Sequence, residues 1–201
     1  AIDRSDAGRH VARAALGLPG GAVVVAVVGG SLGSRRINDA VFGLVEAWSD
    51  RHDVAVRHAV GARDWSAVQD RLPRPPVGGL IYQPVEYEER MSVLLAAADL
   101  IVCRSGGSVA ELAAAGLPSV LVPLPGAPGD HQSANAAAVA RSGAAVVVAD
   151  AELTAERLAT ELGPLVADGA RRAAMARAAA ALSRPDAAER VADLLERHGR
   201  R

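Results

Sequence analysis

The stretch Val23-Val24-Val25-Ala26-Val27-Val28-Gly29-Gly30-Ser31-Leu32-Gly33-Ser34 decides how this chain folds. Its first half is an unbroken, mostly β-branched apolar run. It is too short for a buried helix and lacks the alternation of a strand with one wet face, so it predicts a strand covered on both sides. Its second half is glycine and serine, and helix-period apolar residues follow. The unit is therefore strand, tight turn, helix. Upstream, Asp6–Leu16 has helix periodicity and is closed by Gly17 and Pro19.

Outward from this unit the alternation continues in one style. Helices are predicted over 37–48, 64–71, 88–97, 108–115 and 132–142, and strands over 54–60, 80–83, 100–103, 119–122 and 144–148. Three Ala-rich helices then fill 154–198 without further strands. Six strands alternating with helices predict an α/β fold: a doubly wound, parallel, six-stranded Rossmann-like sheet with C-terminal helices, forming a single domain over 1–201. No internal repeat is visible, and the Ala/Arg tract over 171–181 is expected to turn its charges to water.

Composition narrows the function. Half of the 201 residues are apolar and 22% are charged, as in a compact globular domain. Aromatics make up 2%, which leaves few platforms for stacking bases, and 22 Lys and Arg against 23 Asp and Glu leave no basic field. A nucleic-acid partner is not expected. Cys103 is the sole cysteine, so no internal disulfide can form, and a reducing compartment is the simplest setting. The five histidines show no ligand spacing, so neither a metal site nor a Cys/His nucleophile set is expected. No apolar run is long enough to span a bilayer. The chain starts at Ala1 without Met or a signal-like segment, and a piece of a longer protein is expected.

In a doubly wound sheet, ligands lie beyond the carboxyl ends of the strands, so the loops after Val28, Cys103 and Val122 carry the functional candidates. In the first, Gly30, Ser31 and Gly33 let backbone amides and a helix N-terminus approach an anion; alternatively the loop is only a tight turn with Ser31 or Ser34 as N-cap. The second, Arg104-Ser105-Gly106-Gly107-Ser108, opens another helix, and two such loops near one crevice point to a diphosphate. Glu111 follows in that helix's first turn, where its carboxylate either favours the helix dipole or accepts both hydroxyls of a ribose. The third loop, rich in proline and glycine, ends in Asp130-His131-Gln132. These side chains could read sugar hydroxyls, or Asp130 could be an N-cap and His131 an exposed helix residue.

Taken together, Gly29-Gly30-Ser31-Leu32-Gly33-Ser34, Ala98-Asp99-Leu100-Ile101-Val102-Cys103-Arg104-Ser105-Gly106, Glu111-Leu112-Ala113-Ala114-Ala115-Gly116-Leu117-Pro118 and Asp130-His131-Gln132-Ser133-Ala134-Asn135-Ala136 resemble the MurG family of glycosyltransferases, in order along essentially the whole chain. The resemblance implies the C-terminal, UDP-GlcNAc-binding half of a two-domain GT-B enzyme. Such enzymes move N-acetylglucosamine to lipid I, making lipid II for peptidoglycan at the cytoplasmic face of the cell membrane.

Carried over, Ser31 and Gly33 fall on the family's diphosphate loop and Glu111 on the carboxylate that holds the ribose. His131 and Gln132 fall beside the N-acetylglucosamine, and the backbone near Glu88 lies on the uracil-reading segment. No metal or other cofactor is implied. The general base, the lipid acceptor site and the membrane-facing patch belong to the family's N-terminal domain, so this chain alone is expected to bind donor without transferring it. Two features depart from the family: the loop from Arg104 to Glu111 is one residue shorter, and Val60 stands where a threonine follows His58. The alternatives are a nucleotide-sugar-binding subunit that needs a separate partner, and an isomerase like UDP-GlcNAc 2-epimerase.

Overall fold

A computed structural model describes residues 2–199. Ala1, where a longer chain was expected to have been cut, and Arg200 and Arg201, at the end of the short basic stretch Arg197-His198-Gly199-Arg200-Arg201, lie outside the described residues. Helix α1 (Asp6–Leu16) leads into β1 (Val23–Val28), α2 (Arg35–Ala47), β2 (Val54–Ala59), α3 (Ala62–Val68), β3 (Ile81–Val85) and α4 (Met91–Ala97). Then come β4 (Leu100–Cys103), α5 (Val109–Ala115), β5 (Ser119–Leu121), α6 (His131–Arg141) and β6 (Ala145–Val147), followed by α7 (Ala155–Ala167), α8 (Gly169–Ala181) and α9 (Ala187–His198).

All strand pairs are parallel, in the order β3-β2-β1-β4-β5-β6. The doubly wound sheet expected from the alternation is therefore present, and its order reverses between β1 and β4. Register aligns the strand ends: Val28 pairs with both Ala59 and Cys103, Ala59 with Val85, Cys103 with Leu121, and Leu121 with Val147. Every loop that leaves a carboxyl end therefore opens on one rim.

The continuous apolar runs follow from burial on both faces. Val24, Val25, Ala26 and Val27 are at most 1% exposed, and each buried valine contributes about 1.5–3 kcal/mol relative to exposure. On one face the sheet is covered by Ile37, Val41 and Leu44 of α2 with Leu158, Leu162 and Leu165 of α7. On the other lie Leu16 of α1, Leu94 and Leu95 of α4, Leu112 of α5 and Ala136 of α6. Helix α3 joins the α2 side, where Val60 and Val68 meet Phe42. At the opposite rim, Asp99 accepts from Arg9, from Arg13 Nη2 at 2.6 Å and from the Val24 amide at 2.7 Å, so one carboxylate fixes α1 to the start of β1. The buried charge of Arg13 is tolerable because it is paired.

Two helix starts and the exposure of one helix depart from the sequence pattern for local reasons. Helix α2 begins two residues earlier than periodicity indicated, because Ser34 caps it by accepting from the Ile37 amide. Helix α4 begins at Met91 rather than Glu88, because the Glu88 carboxylate is bound by Arg57 and by the Arg90 amide. The Ala/Arg tract is not wholly turned to water: Arg172 donates to the carbonyls of Leu165 and Val166 and so caps the end of α7.

Candidate functional site

A cavity of about 890 Å³ opens where the strand order reverses, lined by the turns after β1 and β4 together with Glu86–Glu88, Glu111, Leu124 and Gln132. In the first turn Gly30 and Gly33 have φ of 103° and 85°, a region that L side chains rarely adopt. Gly33 also lies directly on the next turn, where a methyl group would strike the Val60 carbonyl oxygen. Ser31 is exposed at the mouth, whereas Ser34 is buried as the cap of α2. Gly30, Ser31 and Gly33 all line the cavity, beneath the N-terminus of α2.

The second turn is built differently. Ser105 is fully buried: its hydroxyl donates to the Gln132 carbonyl at 2.8 Å, and its own carbonyl accepts from Asn135 at 3.0 Å. Its place is that of a stitch between β4 and α6, not of a lining residue. Gly106, Ser108 and Glu111 line the cavity; Gly107 does not. Ser108 makes no side-chain cap, and the Glu111 carboxylate, exposed in the first turn of α5, makes no hydrogen bond to another described residue. The acceptor oxygens of Glu111 are therefore available to a ligand, while its place in the first turn of α5 also suits the helix dipole.

At the third loop the Gln132 amide oxygen accepts from the Leu124 amide at 3.0 Å, holding the proline-glycine segment. Its nitrogen faces the second turn, 3.7 Å from where a Cβ of Gly106 would stand. His131 is exposed at the start of α6, outside the cavity lining, and its Nδ1 donates to the Pro128 carbonyl at 2.8 Å. Asp130, with φ 50° the one non-glycine residue at positive φ among those described, does not cap α6 through its side chain and accepts instead from Ser133. Glu88 lines the cavity, but its buried carboxylate is consumed by Arg57 Nε at 2.8 Å and the Arg90 amide at 3.1 Å, which leaves the backbone of that segment as its free surface.

Sequence reasoning did not single out Arg104, which organises the centre. Its guanidinium donates to Ser34 Oγ at 2.7 Å and to the carbonyls of Val122 and Pro123, and it pairs with Asp150 at 2.7 Å. One side chain thus joins the ends of β1, β4, β5 and β6. Its only sequence signal was its place directly after a buried strand. Beside it, burial pushes the Cys103 thiol up to about 12, so this sulfur is not a thiolate nucleophile.

Charge is divided across the cavity. Arg35, Arg36 and Arg63 stand over the α2 and α3 side, and Glu88 and Glu111 over the α4 and α5 side. Among the described residues no group of three His, Cys, Asp or Glu side chains gathers as a metal-ligand set. The cavity therefore offers amide donors and guanidiniums at one end and the Glu111 carboxylate as a hydroxyl acceptor at the other.

Comparison with known proteins is consistent along the chain. Residues 24–191 match the glycosyltransferase family 28 C-terminal domain. The chain is 43% identical over 196 residues to the UDP-N-acetylglucosamine–N-acetylmuramyl-(pentapeptide) pyrophosphoryl-undecaprenol N-acetylglucosamine transferase of Acidothermus cellulolyticus, covering 97% of this chain and 52% of that protein. It is 39% identical over 196 residues to the transferase of the same name from Desulforudis audaxviator, covering 94% and 52%. The crystal structure of Acinetobacter baumannii MurG superposes with a TM-score of 0.77 at 30% identity, over 94% of this chain and 53% of that one. The chain thus spans about half the length of the curated relatives it matches.

Proposed function

The chain belongs to the glycosyltransferase family 28 C-terminal domain family, and from that premise we propose that it binds UDP-N-acetylglucosamine as the donor half of a peptidoglycan transferase. In this proposal N-acetylglucosamine passes to lipid I, the pyrophosphoryl-undecaprenol-linked muramyl pentapeptide, to give lipid II at the cytoplasmic face of the membrane. No helix among the described residues is long and apolar enough to cross a membrane; in this proposal the enzyme sits peripherally on the membrane, and the acceptor reaches it through the other half of the enzyme.

The observation that carries the proposal is the pair of glycine turns at the point where the strand order reverses, with guanidiniums to one side and, to the other, the Glu111 carboxylate, which is unpaired among the described residues. A nucleoside diphosphate has the complementary layout. Gly30, Ser31 and Gly33, with Gly106 and Ser108, would receive the diphosphate, and Glu111 would accept from the ribose hydroxyls. The Glu86–Glu88 backbone would edge the uracil, and the Gln132 nitrogen would donate to the sugar.

Chemically, the acceptor hydroxyl attacks the anomeric carbon while the bond to UDP breaks, so negative charge grows on the leaving diphosphate. Fixed amides and guanidiniums aimed there stabilise that charge without reorganising, and they supply the task that a divalent cation performs in other sites. The general base that takes the acceptor proton would come from outside this chain.

Calorimetric titration with UDP-GlcNAc, UDP, UDP-glucose and GDP, with and without Mg²⁺, tests the proposal. Metal-independent binding that favours uridine nucleotides and senses the acetamido group is expected; equal affinity for GDP would contradict it.

A further inference from the structure

A buried polar relay runs beneath the first glycine turn. His58 is inaccessible to solvent, with Nδ1 3.0 Å from the Tyr82 hydroxyl and Nε2 3.0 Å from Asn38 Oδ1. The Asn38 amide nitrogen donates to the Val60 carbonyl at 3.0 Å and to Asp64 Oδ2 at 3.2 Å. Because that nitrogen is occupied in donating, Oδ1 accepts; His58 therefore carries its proton on Nε2 and receives the Tyr82 hydroxyl at Nδ1. Burial pushes the imidazole down to about 3, so it is neutral and adds no charge. Every donor in the chain points towards Asp64.

Asp64 is 3% exposed and binds Arg63 with both oxygens, at 2.8 and 3.0 Å, while Arg35 Nε lies 3.5 Å away. One carboxylate facing two guanidiniums leaves the group net positive. Arg63 is 47% exposed, lines the cavity, and sets Nη2 3.5 Å from the Gly33 carbonyl. Its Nη1 makes no hydrogen bond to a described residue, so part of the fork is still open beside the cavity that Arg63 lines. A guanidinium fixed on one side and open on the other matches the paired oxygens of a phosphate.

We propose that Arg63 is a direct contact for the diphosphate of the bound nucleotide, held at the first glycine turn by the buried Asp64. The proposal rests on the donor-binding reading above and adds a residue that lies outside the glycine motifs. Arg63 would meet the oxygens on the α3 side, while the amides of the turn meet them from below.

The test compares affinities of the unsubstituted chain and Arg63→Gln for UDP and for uridine, at about 20 mM and about 500 mM salt, conditions that bracket weak and strong screening. At low salt Arg63→Gln is expected to bind UDP roughly tenfold more weakly, as for a lost charge-assisted hydrogen bond. The gap should narrow at high salt, and uridine affinity should not change. A merely displaced turn would give a loss indifferent to salt. UDP binding that Arg63→Gln leaves intact, or a deficit of the same size at both salt concentrations, overturns the assignment of Arg63 alone. Absence of UDP binding by the unsubstituted chain overturns the donor reading, and this inference with it.

Discussion

The two glycine turns at the cavity floor use the same residue type for different reasons. Gly33 in the first turn sits at positive φ against the Val60 carbonyl, with Gly61 packed in return against Gly33. These glycines are needed for the chain to close, whatever binds there. In the second turn neither Gly106 nor Gly107 has positive φ, and a Cβ on Gly107 would meet nothing within 4 Å. Nothing in the fold requires these to be glycine; under the donor-binding proposal the smallness of Gly106, which lines the cavity, leaves room for the ligand. The first turn is a piece of architecture; the second is space kept open.

Substitutions can break this contrast. Gly33→Ala should have the largest effect, lowering unfolding stability by about 3 kcal/mol or more, because a forbidden φ and a backbone collision act together; the shift of the urea midpoint reads it. Glu111→Ala should weaken UDP binding by roughly 1–3 kcal/mol, since the ribose hydroxyls would lose their acceptor, with the melting temperature unmoved. Loss of stability in place of affinity would return Glu111 to a dipole-favouring role.

The contrast also predicts a response to acid. His58, below the first turn, has a folded-state value of about 3, depressed by burial, against about 6.5 in the unfolded chain. From about pH 6.5 downwards the unfolded state takes up a proton that the native state refuses, so stability falls on acidification by up to about 1.4 kcal/mol per pH unit. His58→Asn should flatten that slope above about pH 5, where carboxylates contribute little. The smallest effect belongs to the second turn: Gly106→Ala should change stability by no more than about 0.5 kcal/mol, because a Cβ there would meet only the Gln132 amide nitrogen at 3.7 Å, and any fall in UDP affinity would then be a property of the ligand space.

Much of the architecture was legible in the sequence. Strands buried on both faces write themselves as uninterrupted runs such as Val23–Val28, and Asp6–Leu16, Val23–Val28 and Leu100–Cys103 fall where the pattern set them. The loops were legible because glycine and serine cluster where a parallel strand ends. What pattern could not show was partnership across distance. Arg104 meets Ser34, Val122 and Asp150 only once four strand ends share one rim. The link from Tyr82 through His58 and Asn38 to Asp64 joins a strand at the edge of the sheet to the helix before it, by way of β2 and α2. Ser105 shows the same limit, since in a sequence a polar side chain beside a cavity reads alike whether it faces in or, as here, stitches the backbone behind it.

The most direct measurement is an amide-resolved NMR titration of the chain with UDP-GlcNAc. If one diphosphate lies across both turns, amides of residues 30–34 and 105–108 shift together and saturate at a common ligand concentration. Shifts confined to one turn, or two turns saturating at different concentrations, would contradict a single diphosphate shared between them.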